Sequence, residues 1–155
     1  MTDAERYNKA EEVVNTLTDH GFSLFLGGSR RFGWHNDASD FDYFVYHNDG
    51  LGDARDRLRG IFHNIHEAGT NYDYPATSTL VVSERILPSE EFVYFHITVF
   101  NDHHAWTTLM EEHYELNEYL EHRPYMYSEI ENSIFRGKDL YRKLIRLMRG
   151  RCKDL

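Results

Sequence analysis

The sequence predicts an α+β domain in which a sheet is covered by helices, and three observations carry that expectation. Apolar residues recur at helical spacing over residues 4–18. Aromatic-rich apolar runs at 22–26, 41–46 and 92–100 read as strands. The last third of the chain returns to helical patterning.

In chain order, Ala4, Tyr7, Ala10, Val13, Val14 and Leu17 form one stripe of an amphipathic helix over Ala4 to Thr18, with Gly21 as its stop. Phe22 to Leu26 is a short buried strand that runs into the turn Gly27-Gly28. Phe41 to Tyr46 is a second strand. On it Asp40, Asp42, Phe44 and Tyr46 share one face, and Phe41, Tyr43 and Val45 the other. Asp53 is placed to cap a helix from about Ala54 to Glu67, with Leu58, Ile61, Phe62 and Ile65 as its inner stripe. Residues 69–79 carry Gly, Asn, Asp, Pro and Ser/Thr and read as a loop. Leu80 to Ser83 and Phe92 to Phe100 are strands around the turn LPSE, as a hairpin or a neighbouring pair. Ala105 to Leu120 and Ser128 to Arg149 are helices, the second opened by Ser128 with Glu131 as a capping box.

The 155 residues contain no Pro- or Ser-rich linker, so one domain over 1–155 is expected, with a core at about 20–100 and C-terminal helices at about 105–150. At 41% hydrophobic and 15% aromatic, the composition supports a packed interior. The lone Cys152 excludes an internal disulfide. No stretch reaches the ~18 apolar residues that span a bilayer, and the acidic N-terminus is not a signal peptide. A cytoplasmic protein without membrane attachment is the expectation. Charge is uneven: residues 136–155 hold eight Lys/Arg against two Asp/Glu, a net of +6, which leaves −15 on residues 1–135 of the total of −9. The acidic body argues against avid, sequence-independent binding to phosphate backbones. The face made by Lys138, Arg142, Lys143, Arg146 and Arg149 leaves a nucleic-acid, substrate-phosphate or acidic-partner contact open, although a solvated face is the commoner meaning of such a pattern.

The chemistry concentrates in LGGSRRFGWHNDASDFDYF, residues 26–44. Glycine lets backbone N–H groups approach a phosphate without an intervening Cβ, and Ser29 with Arg30 or Arg31 adds donors. Asp40 and Asp42, two apart on a strand, direct two carboxylates to one side, within reach of a common hard cation such as Mg²⁺. A phosphate cradle beside a carboxylate-bound divalent ion is the apparatus of phosphoryl or nucleotidyl transfer. Each feature alone has a plainer meaning, a turn or a solvated strand edge; their order and spacing favour the site.

The segment resembles the signature of the DNA polymerase beta-like nucleotidyltransferase superfamily, and its spacing is similar to that of the minimal members. The apolar strand Leu24 to Leu26 precedes Gly28-Ser29, Gly33 follows, and Ser39-Asp40-Phe41-Asp42 closes the pattern. The resemblance implies a mixed β-sheet flanked by helices. It further implies nucleotide binding by Gly28, Ser29, Arg30 and Ser39, and Mg²⁺ (or Mn²⁺) on Asp40 and Asp42. The activity implied is transfer of NMP from an NTP to an acceptor hydroxyl on RNA, a protein or a small molecule. Trp34, in the loop between Gly33 and the aspartates, is placed near where the resemblance implies that a substrate enters.

A third acid on a later strand completes such sites, binding the second metal and activating the attacking hydroxyl. Here the strand FVYFHITVF carries His96 at that position. Three accounts stay open: His96 as general base or nitrogen ligand; Glu90 or Glu91 as the missing acid, or a misaligned strand; and a fold that retains nucleotide binding while its chemistry is lost. A binding or regulatory protein of the same fold, antitoxin-like or partner-binding, is the alternative function. His63, His66, His103 and His104 offer no obvious third ligand and are read as surface residues.

Overall fold

The computed structural model describes residues 2–32, 35–36, 38–47, 51–71, 74–86, 91–100 and 102–121. The turn LPSE, Gly33, Trp34, Glu90, the helix expected at 128–149 with its basic face, and Cys152 lie outside the described residues. The structure is α+β: a five-stranded mixed sheet flanked by helices.

Helix α1 (Asp3–Asp19) starts at a capping box, where Thr2 Oγ1 accepts from the Glu5 amide at 3.2 Å and the Glu5 carboxylate accepts from the Thr2 amide at 3.1 Å. It ends as expected at Gly21, whose φ of 83° turns the chain. The Gly21 amide donates to Thr18 O at 3.0 Å, and the Phe22 amide donates to Leu17 O at 3.1 Å. Phe22 and Leu17 on either side of that stop are both buried in the same core cluster.

Strand β1 (Ser23–Gly27) leads into the five-residue helix α2 (Gly28–Phe32), and β2 (Phe41–Tyr46) returns antiparallel to β1. Helix α3 (Leu51–Ile61), β3 (Ile65–Asn71), β4 (Tyr74–Ile86), β5 (Glu91–Phe100) and α4 (His103–Glu121) follow. The strand order is β1-β2-β5-β4-β3; β5 lies parallel to β2, and every other neighbouring pair is antiparallel. Thus β4 and β5 are antiparallel neighbours, in keeping with the hairpin or neighbouring pair expected.

Two expectations are corrected. The helix foreseen to Glu67 stops at Ile61, and Asp53 is its third residue rather than its cap. Ile65 and His66 belong to β3, where they pair with Val82 and Val81, and the Ser83 amide donates to Asn64 O at 3.0 Å. The loop foreseen at 69–79 is largely strand, with Asn71 opposite Tyr74 across two intervening residues. Ladder bonds to β4 and β5 outweigh the local turn preference of Gly, Asn and Pro there.

Alternation along the strands separates two packed faces. One carries Phe41, Tyr43, Val45, Leu80, Val82, Phe95, Ile97 and Val99 against Ala10, Val13 and Leu17 of α1 and Ala54 and Leu58 of α3. The other joins Phe44 and Phe100 to Trp106 and Leu109 of α4. Asp42 and His96 sit on this second face, beyond the part that the apolar stripe of α4 covers. Among the described residues, no helix is long and apolar enough to cross a membrane.

Candidate functional site

The glycine that ends β1 and the one that begins α2 are dictated by what lies above them. A Cβ on Gly27 falls 2.2 Å from Cε2 of Phe44, so that ring needs a bare backbone beneath it. Gly28 has φ +65°, and a Cβ there falls 2.2 Å from Oδ2 of Asp42. Gly28 is therefore the floor on which the Asp42 carboxylate rests. The antiparallel register puts Gly27 opposite Asp42, so the start of α2 and the second aspartate meet by construction.

The parallel register of β2 and β5 then puts Asp42 beside His96. Nε2 of His96 is 2.9 Å from Oδ2 of Asp40, and both side chains are about two-fifths exposed, at 36% and 43%. Asp40, Asp42 and His96, foreseen as one site, are thus brought together. Glu91 is not part of it: it begins β5, five positions before His96 and on the opposite parity of the strand. At ~3.3 Å per residue, a path of about 16 Å separates the two along the strand.

Ser39 and Arg30 are placed otherwise than expected of phosphate ligands. The Ser39 hydroxyl accepts from the Asn36 amide at 3.0 Å, while Asn36 Oδ1 accepts from the Ala38 amide at 2.8 Å, a side-chain-capped turn that delivers the chain into β2. Arg30 donates through Nε to Ser39 O at 3.0 Å and through a terminal nitrogen to Asp3 Oδ1 at 3.1 Å. Its guanidinium lies 4.0 Å from the Phe41 ring centre and 5.1 Å from that of Tyr7, and the side chain is 0% exposed. Phe41 faces α1, away from the aspartates, so Arg30 braces the turn before Asp40 from the rear. The expected phosphate contact of Arg30 is corrected on that ground: burial and two committed hydrogen bonds remove it from solvent. Ser29 lies in α2, and its side chain is outside the described residues.

Arg31 is the arginine on the aspartate side. It donates to Leu26 O at 3.0 Å and to Asn117 Oδ1 at 2.7 Å, and its guanidinium stands 5.6 Å from the Phe25 ring and 5.4 Å from that of Tyr114. This clamp joins the end of β1 to α4. Two residues of α4 that the sequence reading passed over, Glu112 and His113, are 3% and 0% exposed. His113 Nδ1 is 2.9 Å from Leu109 O, and its ring packs against Phe25 and Phe44 at 5.2 and 5.3 Å. The available signal was their position between Leu109 and Leu116 in the inner stripe of an amphipathic helix. Behind the site, burial pushes the Tyr43 phenol up to about 12; Tyr7 adds to the rise and Arg30 opposes it.

The donor set bears on the implied metal. Asp40 and Asp42 are half-buried carboxylates on neighbouring positions of one face, suited to a hard ion, whereas the His96 imidazole is a poor Mg²⁺ ligand. Among the described residues, no three His, Cys, Asp or Glu side chains gather closely enough to hold a metal ion by themselves. Two carboxylates fit a divalent ion that keeps several waters and shares phosphate oxygens, as Mg²⁺ does at nucleotide sites, and do not fit an all-protein cage. A scan against family models and a search of curated proteins match nothing to this chain.

Proposed function

We propose that the protein is a divalent-metal-dependent nucleotidyltransferase that moves NMP from an NTP to an acceptor hydroxyl. The observation that carries this reading is the meeting of Gly28, Asp42, His96 and Asp40 at the end of one sheet face, through the β1–β2 and β2–β5 registers. The family resemblance asks for those positions side by side, and the registers supply that neighbourhood.

In this reading the backbone N–H groups at Gly28 and Ser29 receive the triphosphate, and the bare Cα of Gly28 lets the Asp42 carboxylate stand directly beside them. Asp40 and Asp42 hold Mg²⁺ or Mn²⁺, and what the ion supplies when bound is charge neutralisation on the phosphates and alignment of the attack. The acceptor oxygen bonds to the α-phosphorus, the bond to the bridging oxygen of the β-phosphate breaks, and pyrophosphate leaves. The acceptor proton passes to the His96 imidazole, which Asp40 orients at 2.9 Å. Arg30 and Ser39 position the entry to β2 without touching substrate.

One observation favours a second reading, a nucleotide-binding regulatory protein of the same architecture. The contact of His96 with Asp40 engages an oxygen that a metal would use. Incubation with each labelled NTP, Mg²⁺ or Mn²⁺ and a cell extract separates the two. Transferred label that disappears when Asp40 and Asp42 are both changed to Asn supports the enzyme. Saturable NTP binding with no label transferred by the wild type or by His96→Asp supports the regulatory protein.

A further inference from the structure

Beside the proposed site, the same face of β5 carries two aromatic rings that the fold leaves in water. Phe92 is 40% exposed and Tyr94 45%, although Val93, Phe95 and Ile97 on the opposite parity are buried. Their ring centres are 6.5 Å apart at an interplanar angle of 32°. In the β4–β5 ladder Arg85 pairs with Phe92 and Ser83 with Tyr94, and the Arg85 guanidinium lies 5.3 Å from the Phe92 ring centre. Arg85, Phe92 and Tyr94 therefore make a shelf of two π-faces and one cation.

The shelf is continuous with the carboxylate pair. Tyr94 precedes Phe95 as Asp40 precedes Phe41, and Phe41 and Phe95 are partners in the parallel ladder. Tyr94, two positions before His96 on one face, therefore stands at the level of Asp40. Under the proposed reaction, His96 marks the side from which the attacking hydroxyl arrives, because it receives that proton. A molecule presenting its hydroxyl there can lay its remaining length over Tyr94 and then Phe92, which lie beyond His96 along the same face of β5. Rings on alternate strand positions, ~6.6 Å apart along the strand, suit successive splayed bases, and every nucleobase has a face to stack.

We infer that Tyr94 and Phe92, with Arg85 beside them, bind the last bases of a single-stranded polynucleotide whose 3′ hydroxyl is the acceptor. This rests on the proposed transferase activity for the hydroxyl's role, but the binding shelf is testable without it. Charge works against a phosphate-led contact, because residues 1–135 carry −15, so the affinity has to come from stacking on the two rings, with Arg85 as the local cation.

The test is fluorescence anisotropy of the full chain with a 5′-labelled single-stranded RNA oligonucleotide of mixed sequence, alongside binding of labelled ATP. Both rings are partly exposed, so Phe92→Ala and Tyr94→Ala are expected to lower the melting temperature by no more than about 8 °C and to keep a cooperative transition. Each should weaken the oligonucleotide by about fivefold or more and leave ATP affinity within about twofold. Asp40→Asn with Asp42→Asn is expected to abolish transfer while oligonucleotide affinity persists. Ring-dependent oligonucleotide binding without transfer by any variant would retain the shelf and remove the transferase reading. The inference is overturned by an oligonucleotide that does not bind, by affinity indifferent to both rings, by rings that govern ATP instead, or by a protein as the sole labelled acceptor.

Discussion

At the scale of single residues, Gly28 and His96 decide what the site is. Gly28 combines a left-handed backbone with a carboxylate where a Cβ would go. Gly28→Ala is expected to cost about 1–3 kcal/mol in denaturant unfolding and to displace Asp42, with NTP binding falling in parallel. His96→Asp places a third carboxylate beside Asp40 and Asp42. Like-charge repulsion should lower the melting temperature without metal, and added Mg²⁺ should raise it more than in the wild type, with transfer increased. An unchanged response to Mg²⁺ would separate His96 from the proposed metal site. Tyr43 gives a pH prediction. Its folded value of about 12 exceeds the ordinary 10, so stability is intact below pH ~10 and declines as pH rises toward 12, where the unfolded phenol ionises first. Tyr43→Phe should flatten that alkaline decline, by at most about 3 kcal/mol, in denaturant titrations across this range.

At the scale of elements, local signals located most boundaries. The stop of α1 at Gly21 and the span of β2 were legible because one turn of chain determines each: a left-handed glycine in the first case, period-two alternation in the second. Gly21→Ala forces a positive φ on alanine and brings Cβ within 3.1 Å of His47 Nε2, so a loss of about 1 kcal/mol is expected by thermal or denaturant unfolding, with no change in nucleotide affinity. The boundary at Ile61 and Ile65 was not legible. The stripe Leu58, Ile61, Phe62, Ile65 fits one helical face, yet Ile65 packs on the same core from a strand, so the apolar pattern is identical in either conformation. The hairpin of β3 and β4 was masked by the same ambiguity: Gly69, Asn71 and Pro75 are turn formers until ladder partners in β4 and β5 hold the chain extended.

At the scale of the whole molecule, among the described residues, the sheet carries apolar layers on both faces and leaves Asp40, Asp42 and His96 half-buried at one end of one face. Leu58→Ala, fully buried between α3 and the sheet, should cost about 2–5 kcal/mol. The same change at exposed Tyr114, 62% in solvent, should move stability by less than about 1 kcal/mol. A cooperative unfolding transition with that ordering is the check on the packing described above. Read alone, the chain settles everything that depends on neighbours within a turn or along a strand. That covers α1 and α4, the spans of β2 and β5, and the common side on which Asp40 and Asp42 project. Packing alone could decide that His96 meets Asp40, that Arg30 turns inward under Phe41 while Arg31 ties β1 to α4, and that Phe92 and Tyr94 remain in water. Those outcomes depend on which strands become partners. Strand pairing is a contest among distant segments for the same backbone hydrogen bonds and the same buried area, and no short stretch of sequence contains both contestants.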